Sequence, residues 1–138
     1  MAKKKTLSQR KADCHSSYWR SKATAAWSHL VHKMYTGGCA VKGCKSPHTQ
    51  AHHILAKKFY PHLRFHIHNG IPLCISHHKF GKQSAHKNSV WFGNWLQKTH
   101  PDLYRIAVRK VNSTKPDGYK CDYKSEYERL VVEAEKIV

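Results

Sequence analysis

Four residues in two short-spaced pairs could hold a metal ion. Cys39 and Cys44 are separated by four residues, and Cys74 and His77 by two. Thiolates and an imidazole are donors that Zn²⁺ prefers, and two such pairs separated by a span long enough to fold back can form a closed tetrahedral site. We therefore predict a structural zinc bound by these four residues. The alternative is that the cysteines are ordinary small buried side chains.

The other two cysteines have no comparable partners. The chain contains five cysteines and no apolar segment that would act as a secretion signal, so a disulfide framework is a poor explanation for them. We expect Cys14 and Cys121 to be unligated.

Histidines are concentrated between and just beyond the two pairs. The chain has 13 histidines, with two adjacent pairs, His52-His53 and His77-His78. A neutral imidazole can ligate a divalent ion or accept a proton near neutral pH. Neighbouring side chains on a strand point to opposite faces, so His52 and His53 cannot share one role. Phosphodiester hydrolysis needs both a proton acceptor and charge neutralisation, which makes a division between base and metal ligand economical.

An Asn69-Gly70 pair lies between the two histidine pairs. In this order, within the zinc pairs, Ala51-His52-His53-Ile54, Asn69-Gly70 and His77-His78-Lys79 resemble the HNH, or ββα-metal, nuclease family. The resemblance covers about residues 38–79 and extends to the zinc-bearing members of the family. It implies that His53 is the general base and that Asn69 orients the turn and the base. It also implies that His52 and His78 bind a catalytic divalent ion, Mg²⁺ or another.

The sequence differs from some family members at the position that would supply the third ligand of that ion. Some members carry a further histidine one helical turn after the last motif histidine, where this chain has Lys82. A phage-type subgroup shows Ser-Ala-His before an aromatic-rich helix, and Ser84-Ala85-His86 resembles it, so His86 is a candidate substitute. A solvated histidine is the alternative. For His66 and His68 we expect a role facing phosphate.

Apolar periodicity predicts the elements that position these groups. The helical region beyond Gly81 is expected to have a core stripe of Val90, Trp91, Trp95 and Leu96, and the last helix is expected to begin with a capping box of Ser125 and Glu128. The predicted elements are a helix over 18–35, strands over 49–54 and 63–67, a turn at 69–70, a helix from 75, a helical region beyond 81, a further helical turn from 101 and a helix from 125.

Together these elements predict an α+β fold. Its centre is a small zinc-stapled ββα-metal core, treble-clef-like, with flanking N- and C-terminal helices. We expect one nuclease domain over 13–138, with the motif core at about 38–80 and a helical extension over 85–138. Residues 1–12 are lysine-rich and are expected to be a flexible basic arm.

The charge of the chain predicts a polyanionic partner. Lysine and arginine number 25 against 8 acidic residues, a formal charge of +17. No apolar run approaches the ~20 residues of a membrane span, so we expect a soluble cytoplasmic protein that binds DNA and no membrane. Six basic residues around the candidate site are expected to contact phosphates: Lys57, Lys58, Arg64, Lys79, Lys82 and Lys87.

These features together predict a metal-dependent DNA endonuclease. The resemblance to phage-encoded members implies phage or prophage DNA recombination or processing in a bacterial host cell, with recombination proteins as partners. A non-catalytic zinc module that binds nucleic acid is the main alternative. An RNA binder of the ribosomal-protein type would explain the charge but leaves the order of the histidines unexplained.

Overall fold

The computed structural model describes residues 1–137 and confirms the α+β class. Its two strands form one antiparallel sheet. The elements are α1 (Leu7–Ala12), α2 (Ser17–Met34), β1 (Thr49–His53), β2 (Gly70–Cys74), α3 (Ser89–Thr99), α4 (Pro101–Lys110) and α5 (Tyr123–Glu135), with a 3₁₀ turn at Pro61–Leu63 and a π-helical turn at Ser76–Phe80.

The second strand differs from the sequence prediction. Residues 63–67 were expected to be a strand, but Pro61 begins a 3₁₀ turn and further turns follow. Leu63 and Phe65 lie in turns and point into the protein interior, at 6% and 4% exposure. Their alternation with polar residues therefore reflects burial of turn residues and not a strand. The true partner of β1 is Gly70–Cys74, in which all five residues are buried. Gly70 is therefore the first residue of a strand, directly after the bend at Asn69.

The two-stranded sheet lies between two hydrophobic cores. His52 pairs with Ile71 and His53 with Gly70, so these pairs occupy opposite faces. We call the two cores the α3 core and the α2 core. The α3 core contains Cys39, Ile71, Leu73, Cys74, Ala85, Phe92, Leu96 and Leu103. The α2 core contains Ala23, Trp27, Leu30, Val31, Phe65, Leu130 and Ala134.

The helices also depart from the prediction at their boundaries. The arm expected to be flexible contains α1, which begins at a capping box of Thr6 and Gln9. The capping box predicted for the last helix is wrong: α5 starts earlier, and the Asp122 side chain caps it by accepting a hydrogen bond from the Ser125 amide at 3.0 Å. An aspartate is as good an N-cap as a serine, and here it lies three residues upstream.

The buried stripe of α3 is shifted from the predicted one. Phe92 and Leu96 are buried, whereas Val90 is 73% exposed. Trp91 and Trp95 are half-buried and stack on each other with ring centroids 5.8 Å apart. The helix was expected to bury Val90 because valine is apolar, but the phase of a helix is set by what it packs against. No helix within residues 1–137 is both long and apolar enough to cross a membrane.

Candidate metal centres

The four predicted zinc ligands converge. One donor atom from each of Cys39, Cys44, Cys74 and His77 lies within 4.8 Å of all the others. The Nδ1 atom of His77 is 3.2 Å from the Cys74 sulfur and 3.5 Å from the Cys39 sulfur, and the sulfurs of Cys44 and Cys74 are 3.9 Å apart. Donors at such spacings suit one tetrahedral ion. The four predicted residues could therefore hold a metal ion such as zinc.

Local backbone bonds form this site. The Cys39 amide donates to the Ser46 carbonyl at 3.2 Å and the Cys44 amide to the Val41 carbonyl at 3.0 Å, which curls the first pair into a knuckle. The Ala40 amide donates to the Pro72 carbonyl of β2 at 2.9 Å, which fixes the knuckle beside Cys74. Gly38 has φ +85°, and a Cβ there would meet the Ser46 carbonyl, so the turn into the knuckle requires glycine.

Three histidines form a second cluster next to the first. One ligand nitrogen from each of His52, His78 and His86 lies within 4.8 Å of the others. His78 is buried, His52 is half-buried and His86 is exposed, so the cluster opens to solvent on the His86 side. The Nε2 atoms of His78 and His86 approach to 3.1 Å. No carboxylate belongs to this cluster in the described part of the chain.

The hydrogen bond between His78 and Gln50 determines which ring nitrogen of His78 is free to bind a metal ion. Its Nδ1 lies 2.8 Å from Oε1 of Gln50, which can only accept, so Nδ1 carries the proton and Nε2 keeps its lone pair. Burial lowers the pKa of His78 to about 4, with the charges of His86 and Lys79 contributing. Burial also lowers the pKa of His52 to about 3, with the charges of His78 and His86 adding to it. Both rings are neutral at pH 7, the form that ligates metals.

His86 reaches the cluster by backbone pairing with the π-helical turn. The Ala85 amide donates to the His77 carbonyl at 2.8 Å, and the His86 amide to the His78 carbonyl at 3.0 Å. Ser84 is fully buried, and its hydroxyl donates to the Lys79 carbonyl at 3.3 Å. These bonds bring residues 84–86 alongside residues 77–79. The side chain of Lys82, at the position where some family members have a histidine, is exposed.

His53 lies on the other face of β1. Its ring stacks on Trp27 with centroids 4.0 Å apart, and its Nε2 donates to the Arg64 carbonyl at 2.9 Å. The proton on Nε2 leaves the lone pair on Nδ1. Burial lowers the pKa of His53 to about 4, partly opposed by the hydrogen bond to the Arg64 carbonyl, while the charges of Lys57 and Arg64 lower it further. His53 is therefore a neutral proton acceptor at pH 7.

Asn69 closes the base of the loop between β1 and β2. Its Oδ1 accepts from the Leu55 amide at 2.7 Å, and its Nδ2 donates to the carbonyls of Leu55 at 3.0 Å and Leu63 at 3.2 Å. Leu63 immediately precedes Arg64, whose carbonyl holds His53. Asn69 is buried, at 6% exposure. It thus stabilises the backbone segment that fixes the orientation of His53.

The predicted phosphate-contacting residues fall into two groups. The five lysines are exposed: Lys57, Lys58, Lys79, Lys82 and Lys87. Arg64 is half-buried, with its guanidinium 5.3 Å from the Phe65 ring centroid and Nη2 3.4 Å from the Thr24 hydroxyl. The guanidinium of Arg64 is therefore only partly exposed to solvent.

His66 and His68, which are expected to face phosphate, both lie outside the strands. The His66 ring accepts from the His68 amide at 3.2 Å, and its carbonyl accepts from the Trp27 indole at 3.1 Å. Neither histidine belongs to a metal-binding cluster in residues 1–137. Cys14 and Cys121, expected to be unligated, are free thiols outside both clusters.

Two residues of the site had no role in the sequence analysis: Gln50, the hydrogen-bond partner of His78, and Trp27, the stacking partner of His53. A signal for Gln50 exists, because it precedes His52 by two residues and so shares its strand face. Nothing local points to Trp27, since its approach depends on how α2 packs on β2. Scans against models of protein families, curated proteins and solved structures found no match to this chain.

Proposed function

We propose that this chain is a metal-dependent DNA endonuclease of the HNH type that hydrolyses phosphodiester bonds. One observation carries the proposal: a closed four-donor site lies beside an open three-donor site. Structural zinc sites use four protein ligands, whereas catalytic sites use three and leave a position for water or substrate. In this interpretation β1, β2 and the π-helical turn form a treble-clef-like ββα-metal core, with structural zinc on one side and the catalytic ion on the other.

The three histidines fit a transition ion better than Mg²⁺. Neutral imidazoles suit Zn²⁺, Ni²⁺ or Cu²⁺, whereas Mg²⁺ prefers carboxylate, carbonyl and water oxygens. His52, His78 and His86 would hold the ion, which when bound supplies Lewis-acid stabilisation of charge on the phosphate and the leaving oxygen. The tautomer set by Gln50 presents Nε2 of His78 as the donor.

His53 is the base in this proposal. Its Nδ1 lone pair accepts a proton from the attacking water, and the Arg64 carbonyl stabilises the imidazolium that forms, through Nε2–H. A pKa of about 4 is low for a base working near pH 7. A phosphate anion bound nearby raises that pKa, because a neighbouring negative charge favours the protonated ring. Stacking on Trp27 restricts the ring to one orientation.

The test is plasmid cleavage by zinc-loaded protein supplied in turn with Mg²⁺, Mn²⁺ or Ni²⁺. We expect metal-dependent cutting that His53→Ala lowers by roughly 10²- to 10⁴-fold, the usual contribution of a general base. His29→Ala is the matched control, because His29 is an exposed histidine on α2 outside both clusters. Folding and zinc content are checked for each variant.

The opposite result favours a different function. Intact plasmid with every ion, together with retained salt-sensitive DNA binding, would indicate a non-catalytic zinc module. Equal loss of activity in His53→Ala and His29→Ala would show that His53 is not the general base. The chain would still be a nuclease in that case.

A further inference from the structure

A cavity of about 340 Å³ is lined by Arg64, whose carbonyl holds His53, by other cationic groups and by no carboxylate. The cations are Arg64, Lys115 and Lys120, and the ring of His15 also lines the cavity. The carboxylate of Asp122, which follows the lining residue Cys121, accepts from the Ser125 amide and hydroxyl at 3.0 and 2.9 Å and is thus committed elsewhere. The cavity has the electrostatic character of an anion-binding site.

Arg64 carries an uncompensated charge in this wall. Its Nε is buried without a hydrogen-bond partner, and Arg64 takes part in none of the ion pairs formed within residues 1–137. Removing a guanidinium partly from water without a counterion costs free energy that a bound anion would offset. The carbonyl of the same residue holds His53, so the cavity lies within one side-chain length of the proposed base.

A second cavity, of about 560 Å³, continues from the first. The two share Pro61 and Lys115, and the second adds Lys58 and Phe59, again with no carboxylate in its lining. Its walls are joined by hydrogen bonds from the Tyr60 hydroxyl to the Val111 carbonyl at 2.8 Å and between the His62 ring and the Ser113 hydroxyl at 2.9 Å. We call the two cavities together the Lys115 groove.

We propose that the Lys115 groove binds the backbone of a nucleic-acid strand and leads it to His53. The inference rests on the proposed function and adds a strand-binding site to it. Two cavities that share Lys115 and each carry further cations fit consecutive phosphates better than one small anion. Phe59 is 71% exposed beside Lys58, and an exposed aromatic ring among cations is the arrangement on which unpaired bases stack.

The test is binding of labelled single-stranded and duplex DNA to zinc-loaded protein without added divalent ion, so that no strand is cut. Lys115→Gln/Lys120→Gln removes two groove cations from an exposed loop. Lys98→Gln/Arg109→Gln removes the same charge from exposed positions of α3 and α4 that do not line the groove. We expect the groove variant to flatten the plot of log affinity against log salt by about 0.7–0.9 per lost phosphate contact, while the control keeps the wild-type slope.

Phe59→Leu provides a second measurement. It should weaken binding of single-stranded DNA several-fold more than binding of duplex DNA, because only unpaired bases can stack on the ring.

Equal slopes for the groove and control variants would overturn the proposal, whether or not the plasmid is cut. Displacement of DNA by low concentrations of inorganic phosphate from the wild type, but not from the groove variant, would overturn it in favour of a small-anion site. Groove-dependent binding without cleavage would support the groove and reject the nuclease. Failure of the wild type to bind either DNA would reject both.

Discussion

At the scale of single residues, the candidate site depends on hydrogen bonds that set which nitrogen of each histidine is free. The Arg64 carbonyl takes the proton of His53 at Nε2, and Oε1 of Gln50 takes the proton of His78 at Nδ1. His53 is thereby left with Nδ1, and His78 with Nε2 directed at His86. The two histidines present different free nitrogens because their hydrogen-bond partners differ.

Gln50→Leu tests the contribution of the residue that positions His78. The variant removes the acceptor at Nδ1, and we expect Ni²⁺ affinity at the three-histidine site to fall by about 10-fold. This is the lower end for loss of such a partner, because Gln50 is exposed and water can replace it in part. Gln50→Glu keeps an acceptor and should retain the affinity. Calorimetric Ni²⁺ titration of zinc-loaded protein measures both.

The zinc content of the two variants is the control, since Gln50 does not contact the four-donor site. Equal Ni²⁺ affinity in Gln50→Leu and the wild type would show that the tautomer of His78 needs no help from Gln50.

At the scale of elements, the close approach of α2 to β2 shapes the face on which His53 lies. A Cβ at Gly70 would lie 2.5 Å from a Val31 methyl carbon and 2.6 Å from the Trp27 ring. The glycine therefore permits Trp27 to lie flat against His53, which pairs with Gly70 across the sheet. The absence of a side chain at Gly70 thus links the packing of the α2 core to the orientation of the His53 ring.

Gly70→Ala should lower the free energy of unfolding by about 1–3 kcal/mol, the usual cost of overpacking a core. Gly93→Ala is the matched control: Gly93 lies inside α3, and a Cβ added there would meet nothing within 4 Å, so alanine should stabilise by roughly 0.5–1 kcal/mol. Urea unfolding of both variants measures the difference. A neutral Gly70→Ala would mean that α2 can move away from the sheet at little cost.

At the scale of the whole molecule, the α3 core and the α2 core lie on either side of a short sheet, and three histidines in and next to this sheet are at least half-buried. Burial lowers the pKa of His52 to about 3 and that of His53 and His78 to about 4. Below about pH 6.5 the unfolded chain binds protons at these positions that the folded protein does not take up until near pH 4. The free energy of unfolding therefore decreases as the pH falls from 6.5 towards 4.

This dependence predicts that His53→Gln loses less stability than the wild type between pH 7 and pH 5, because one of the buried rings no longer titrates. Urea unfolding at each pH measures it, with zinc content determined in parallel so that only zinc-loaded samples are compared. His29→Gln, at an exposed position, should follow the wild type. Identical pH dependence in all three proteins would contradict burial of a neutral His53.

Short-range sequence patterns were enough to predict the features that depend on local spacing. The four candidate zinc ligands, the helix that became α2, and the opposite faces of His52 and His53 follow from short-range patterns that hold wherever the segment packs. Tertiary packing set the bounds of β2 at 70–74, the burial of Phe92 in place of Val90, and the contact of Gln50 with His78, whereas His86 was already a candidate ligand from its resemblance to the family. Those outcomes depend on contacts between segments distant in the chain, such as the amide bonds from residues 85 and 86 to residues 77 and 78, and no local pattern encodes which segments will meet.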